Sequence, residues 1–231
     1  MTGKSVYAIL ITELSMLKTE RKVHIMSVPD RSIDPRILES GKKEFLEKGF
    51  EKASLKNICE RAGVTTGALY KRYEGKEGLF CAVVEDTLKD LELVTEKKSA
   101  VDPGALSDEE LIRSWDMDEH AMEWWFDYLE KRREGVVILL RGAAGTKYAD
   151  FPHDWVQRIT EATYGYYEEA YRRGLTKKKV SREEMHIMLT AFWTTIYEPF
   201  IHDFSKEKIR EFNRSICQLF NWHRVLGFPE K

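Results

Sequence analysis

The chain has 231 residues, 42% hydrophobic and 33% charged, a balance that fits one or two packed soluble domains and excludes disorder as the default. Its net charge of −2 excludes a uniformly basic binder of nucleic acid, so any such contact has to come from a local patch. Three scattered cysteines, Cys59, Cys81 and Cys217, form no CxxC pair; this excludes a disulfide framework and a zinc finger and suits a reducing cytoplasm.

No apolar run reaches the roughly 18 to 20 residues that span a bilayer, and nothing near the N-terminus has the build of a secretory signal. The expected location is therefore cytoplasmic, with no membrane partner. Residues 1–33 read as an N-terminal extension in which Val6, Leu10, Leu14 and Leu17 step along one face of a short amphipathic helix. A translation start at Met16 or Met26 is the alternative, and both readings stay open.

From residue 34 onward nearly every segment has helical period and no strand-like alternation, which predicts an all-α fold. A first helix opens at Asp34-Pro35, carries Ile37, Leu38, Phe45 and Leu46 on one face and closes at Gly49. Ser54 caps a second helix that ends at Gly63. Three residues later, at Thr66, a third short helix begins, and a longer fourth follows after "EGK". Pro103-Gly104 breaks the chain before a helix over roughly Leu106 to Lys131. The short helix "VVILLR", a helix from His153 to Arg173, and two apolar-faced helices near Ser181 to Phe204 and Ser205 to Leu226 complete the reading. Pro199 is expected to kink the first of those two.

Two helices joined by three residues including glycine fit a helix-turn-helix, whose second helix enters the major groove of DNA. The third helix suits that task. Thr65, Thr66, Gly67 and Ala68 are small enough for close approach, and the helix N-terminus favours phosphate. Lys71 or Arg72 can pair with guanine O6 and N7, while Tyr70 and Lys76 suit contacts to the sugar-phosphate backbone. Leu69 and Tyr73 are expected in the core against Phe45 and Ile58.

The run from Ile37 to Phe80 resembles the DNA-binding domain of the TetR family of one-component transcriptional regulators. The resemblance is carried by "F-x-x-x-G-F" (Phe45 to Phe50), "S-L-x-x-I-x-x-x-A-G-V" (Ser54 to Val64) and "G-A-L-Y-x-x-Y-x-x-K-E-x-L-F" (Gly67 to Phe80). It implies that Ser54 and Lys56 touch phosphate, that Thr65, Thr66, Gly67, Lys71 and Arg72 face the groove, and that Tyr70 and Lys76 bind the DNA backbone. Arg72-Tyr73 stands where many members have histidine then phenylalanine, so the operator sequence does not carry over.

The domain reading that follows is a helix-turn-helix domain over 34–80 and a helical ligand-binding and dimerisation domain over 81–231. In such regulators the second domain holds an effector, and the expected lining here is Trp115, Met122, Trp125, Trp155 and Tyr166. These rings suit a small hydrophobic or aromatic molecule, and Glu123 or Asp127 could neutralise a cation. Phe192, Ile209, Phe212, Ile216 and Phe220 are the expected interface of a homodimer. The expected function is a ligand-responsive regulator, a repressor on a palindromic double-stranded operator. The alternative is a helical small-molecule-binding or metal-dependent protein that keeps the fold without binding an operator.

Catalytic patterns are thin. Glu183-x-x-His186 lacks the second such pair that a di-iron bundle needs, Glu198 and His202 supply only two ligands, and "GAAG" lacks the lysine and hydroxyl of a phosphate loop. No enzyme activity, metal or cofactor is expected.

Overall fold

The computed structural model describes residues 34–229; the helix expected within residues 1–33 lies outside them. Among the described residues the regular structure is helical throughout, as expected. They form two compact units, one of 34–91 with 132–152, the other of 92–131 with 153–229.

The first unit holds α1 (Asp34–Lys52), α2 (Leu55–Ala62), α3 (Thr66–Tyr73), most of α4 (Lys76–Ser99) and α7 (Arg133–Arg141). Its core is Ile37, Phe45, Ile58, Leu69, Leu79 and Phe80, all buried. The Phe45 and Phe50 rings meet Phe80 edge-on at 5.1 and 5.5 Å, a geometry aromatic quadrupoles favour. At Gly49, where the sequence predicts an end, the backbone takes φ 68° and ψ 170° and then turns helical again to Lys52. The Phe50 N–H is satisfied by the Gly142 carbonyl at 2.8 Å. Gly135 marks where α7 meets α4: a Cβ there would stand 2.0 Å from Thr87 Oγ1.

The second unit comprises the end of α4, a 3₁₀ turn (Pro103–Ala105), α5 (Asp108–Arg113), α6 (Glu119–Glu130), α8 (Phe151–Arg172), α9 (Arg182–Ile201), α10 (Lys206–Leu219) and α11 (Trp222–Leu226). One helix expected over Leu106 to Lys131 is in fact two. Ser107 and Glu110 form a capping box that starts α5, and Asp118 accepts the Ala121 N–H to restart the chain as α6. Asn221 likewise caps α11 where the sequence expects one uninterrupted helix. Pro199 lies inside α9, which runs on to Ile201. Three phenols on α8 tie down their surroundings: Tyr164 donates to Val180 O at 3.0 Å, Tyr166 to Lys98 O at 2.7 Å, and Tyr167 to Lys178 O. No helix among the described residues is long and apolar enough to cross a membrane.

Candidate functional site

The turn between α2 and α3 is built from local chemistry. Ser54 caps α2 by accepting the Asn57 N–H at 3.3 Å, and Gly63 closes it in the left-handed region (φ 66°, ψ 42°) with its N–H on Cys59 and Glu60 carbonyls. Val64 also donates to Cys59 O. Thr65 then caps α3, its Oγ1 accepting the Ala68 N–H at 3.2 Å. Four residues on, Leu69 is fully buried and anchors α3 to the core.

A buried carboxylate braces this turn from α1. Glu44 is almost wholly inaccessible, and its oxygens accept from the Ser54 N–H (3.1 Å), Asn57 Nδ2 (3.4 Å) and Arg61 Nη2 (3.3 Å). Arg61 also donates to Ser40 O, and Ser40 Oγ to Ile58 O. Removing one member of a buried charged set strands the others. Glu44→Ala should therefore lower stability by about 2 to 4 kcal/mol, with Glu44→Gln roughly half as costly. Thermal unfolding followed by circular dichroism reads the difference; equal, negligible effects would show the brace to be idle.

The residues expected at DNA divide into two groups. Thr65, Thr66, Gly67, Tyr70 and Lys71 are exposed along the N-terminal and outer face of α3, as is Lys56 on α2, while Ser54 is half-buried. Tyr70 is 56% exposed, a large ring left in solvent. Lys56 lies 3.8 Å from Glu60. Arg72 and Lys76 are instead turned to the fold. Arg72 Nε donates to Asp34 Oδ1 at 2.7 Å and its Nη1 to Ala68 O. Lys76 Nζ donates to the Glu51 and Ala53 carbonyls at 3.0 and 3.2 Å and lies 4.7 Å from the Phe50 ring centre. Arg72 neutralises the Asp34 carboxylate, and Lys76 satisfies carbonyls that the end of α1 and the turn after it would otherwise leave bare. Tyr73, expected in the core, is half-buried.

The second unit contains a cavity of about 30 Å³. Five of the chain's six tryptophans line it: Trp115, Trp124, Trp125, Trp193 and Trp222, together with Lys98 and Thr163. Of the expected lining, Trp115 and Trp125 are at the wall. Trp155 stacks edge-on behind Trp193 at 5.4 Å, Tyr166 lies beneath Lys98, whose Nζ is 4.9 Å from its ring, and Met122 is fully buried elsewhere in the core. Burial pushes the Lys98 ammonium down from its usual 10.5 to about 7 and the Tyr166 phenol up to about 12. Lys98, Thr163, Trp193 and Trp222 escape sequence reasoning because a lysine inside "EKKS" and rings on separate helices carry no local sign of meeting.

Glu123 and Asp127 do not face this cavity. They pair with Arg210 (3.6 Å) and Lys206 (2.9 Å) between α6 and α10. Among the expected interface residues, Phe192, Ile209 and Ile216 are buried within the chain itself. Phe220 is half-buried, 5.2 Å from Phe192, and Phe212 is exposed. Ile187 and Leu219, from the same apolar stripes, are 67% and 68% exposed. Glu198 pairs with His202 at 3.2 Å, and His186 Nδ1 is 3.3 Å from Thr160 Oγ1.

Residues 37–83 match the family described as "Bacterial regulatory proteins, tetR family", a span that contains α2, α3 and their turn. The HTH-type transcriptional regulator UidR of Escherichia coli (strain K12) is 39% identical over 49 residues, which are 21% of this chain and 25% of that protein; the match thus spans about a quarter of the relative's length. Among solved structures, NalD, described as the secondary repressor of the MexAB-OprM multidrug efflux pump in Pseudomonas aeruginosa, is similar with a TM-score of 0.60 at 22% identity. That likeness covers 83% of this chain and 96% of NalD. PfmR from Thermus thermophilus, a TetR family transcriptional regulator, aligns with a TM-score of 0.55 at 21% identity, over 85% of this chain and 100% of that one. These structures share the fold: an N-terminal helix-turn-helix followed by a helical domain. The likeness to the tetR family of bacterial regulatory proteins is thus carried by residues 37–83, the stretch that builds the helix-turn-helix.

Proposed function

We propose that the chain is a cytoplasmic, ligand-responsive transcriptional regulator, not an enzyme, that binds a palindromic operator as a homodimer and is released by a small apolar effector. The observation that carries the DNA-binding part is the exposed face of α3, where Thr65, Thr66, Gly67, Tyr70 and Lys71 stand in solvent on a helix anchored by buried Leu69. Small residues at a helix N-terminus followed by a phenol and a cation are what backbone positioning and base readout require. Ser54 and Lys56 add phosphate contacts. Arg72 ties α3 to Asp34 and Lys76 ties the start of α4 to the Glu51 and Ala53 carbonyls, and either reaches DNA only by leaving those partners. The domain division at about residue 80 and the sense of regulation, repression, belong to the same proposal; NalD is described as a repressor, which supports that sense by likeness alone.

The effector part rests on the tryptophan-walled cavity. Because α4 contributes to both units, with Lys98 near its end, a ligand that prefers one arrangement of the cavity walls shifts the reading helices by its difference in affinity for the two states, and by no more.

Fluorescence anisotropy on DNA from upstream of the chain's own gene, against scrambled DNA across a salt series, tests the reading. Selective binding with a steep salt slope is expected. Lys71→Ala should weaken it by roughly tenfold or more, whereas Lys179→Ala, an exposed lysine of the second unit, should change it little. Equal losses would remove α3 from the interface.

A further inference from the structure

We propose that the effector taken by the cavity is an apolar molecule that ends in a carboxylate, received by Lys98 together with the indole N–H groups of Trp115 and Trp125 and the hydroxyl of Thr163. This rests on the reading of the cavity as an effector site and names the chemical class that site accepts.

Apart from Ser114, whose hydroxyl donates to the Leu111 carbonyl at 2.6 Å, the polar side chains of the wall have protons to give. Trp115 Nε1, Trp125 Nε1 and Thr163 Oγ1 are buried and make no hydrogen bond among the described residues, and all three residues line the cavity and are no more than 4% exposed. An indole nitrogen can only donate, an ammonium can only donate, and a hydroxyl donates readily. Buried donors in this number are uncommon, because each one lacking an acceptor costs free energy. Water in a space of about 30 Å³ can serve them in the ligand-free protein, but a ligand that displaces the water must bring acceptors of its own.

The charge of the wall selects among acceptors. Among the described residues, Asp and Glu are absent from the cavity lining; the carboxylates that sequence reasoning offers for a cationic ligand, Glu123 and Asp127, are engaged with Arg210 and Lys206. An amine would thus meet an ammonium and three donors. A hydrocarbon would strand the two indole N–H groups and the hydroxyl. A carboxylate supplies one negative charge for one lysine and two oxygens, about four lone-pair sites, for the surrounding N–H and O–H groups. The tryptophan rings then cover the rest of the molecule. Lys98, brought to about 7 by burial, regains its proton preference when an anion arrives beside it.

The test uses the full chain and tryptophan fluorescence, since five of the six tryptophans line the cavity. Two matched trios serve as probes: benzoate, benzyl alcohol and benzylamine, and octanoate, octanol and octylamine. The carboxylate of at least one trio is expected to bind roughly tenfold or more tightly than its alcohol, with the amine weakest. Lys98→Met should remove the preference for the carboxylate over the alcohol, and Thr163→Val, which keeps shape and fold, should weaken the carboxylate severalfold. Alcohols or amines binding as tightly as carboxylates, or a Lys98→Met variant that keeps the carboxylate preference, would overturn the assignment and leave the cavity an effector site of another kind. If no probe alters the fluorescence while the protein still binds its operator, the effector-site reading itself fails, and the carboxylate assignment with it.

Discussion

Replacing Lys98 by methionine is expected to stabilise the protein, and most strongly in acid. Lys98 is only 3% exposed, and burial lowers its ammonium from 10.5 to about 7. Below pH 7 both folded and unfolded chains carry the proton, and the folded state bears the full cost of the buried charge. Between pH 7 and 10.5 the unfolded chain holds a proton that the folded chain has lost, so stability rises with pH. Above 10.5 both are neutral and the penalty is gone. A displacement of this size corresponds to about 4 to 5 kcal/mol at pH 6, falling to about 2 at pH 9. Tyr166, the titratable ring beneath Lys98, stays neutral throughout that window because burial holds it near 12. Methionine fills similar space without a charge, so the melting temperature should rise by roughly 10 °C at pH 6 and by clearly less at pH 9. A gain that did not depend on pH would show that Lys98 is not a buried ammonium.

The pair Ile187→Asp and Leu219→Asp, made together, should leave a folded monomer that has lost operator binding. On α9, Ile187, Thr190 and Ala191 are exposed at helical spacing, with Thr194 half-buried beyond them; on α10, Phe212, Ser215 and Leu219 repeat the pattern. These small and apolar side chains suit close helix packing across a two-fold axis. Two carboxylates per protomer placed in a desolvated contact cost enough to weaken a dimer by about a hundredfold or more. In solution they cost the monomer little, because both positions are open. Sedimentation velocity reads the mass, and anisotropy reads the loss of a palindromic site that needs both half-sites filled. Phe192→Ala is the contrast: it lies in the chain's own core and should lower thermal stability by about 3 kcal/mol or more without specifically splitting a dimer. A variant with both aspartates that remained dimeric would move the interface elsewhere.

What could be read ahead of the structure follows from how far apart the deciding residues stand. The turn between α2 and α3 was legible because Ser54, Gly63 and Thr65 act on backbone groups two to four residues away. The two breaks that sequence reading misses, at Asp118 and Asn221, are caps of the same kind, but the apolar period on either side continues through them and hides the interruption. Arg72 and Lys76 read from the sequence as cations facing DNA because their partners lie outside any local window: Asp34 is 38 residues away, and Glu51 and Ala53 are 25 and 23. Glu44 gives no warning of its burial, since a glutamate on an amphipathic helix ordinarily faces water.

The amino-acid sequence by itself determined the all-helical class, the helix-turn-helix and the residues of its solvent-facing helix, because period, caps and glycine turns are properties of neighbours along the chain. Only the tertiary structure decided which half of each broad apolar stripe on α9 and α10 faces inward, which tryptophans share a wall, and that Lys98 stands among them. Those outcomes depend on how helices remote in sequence pack together, and a face that is apolar on both flanks reads the same whether it meets the core or a second molecule.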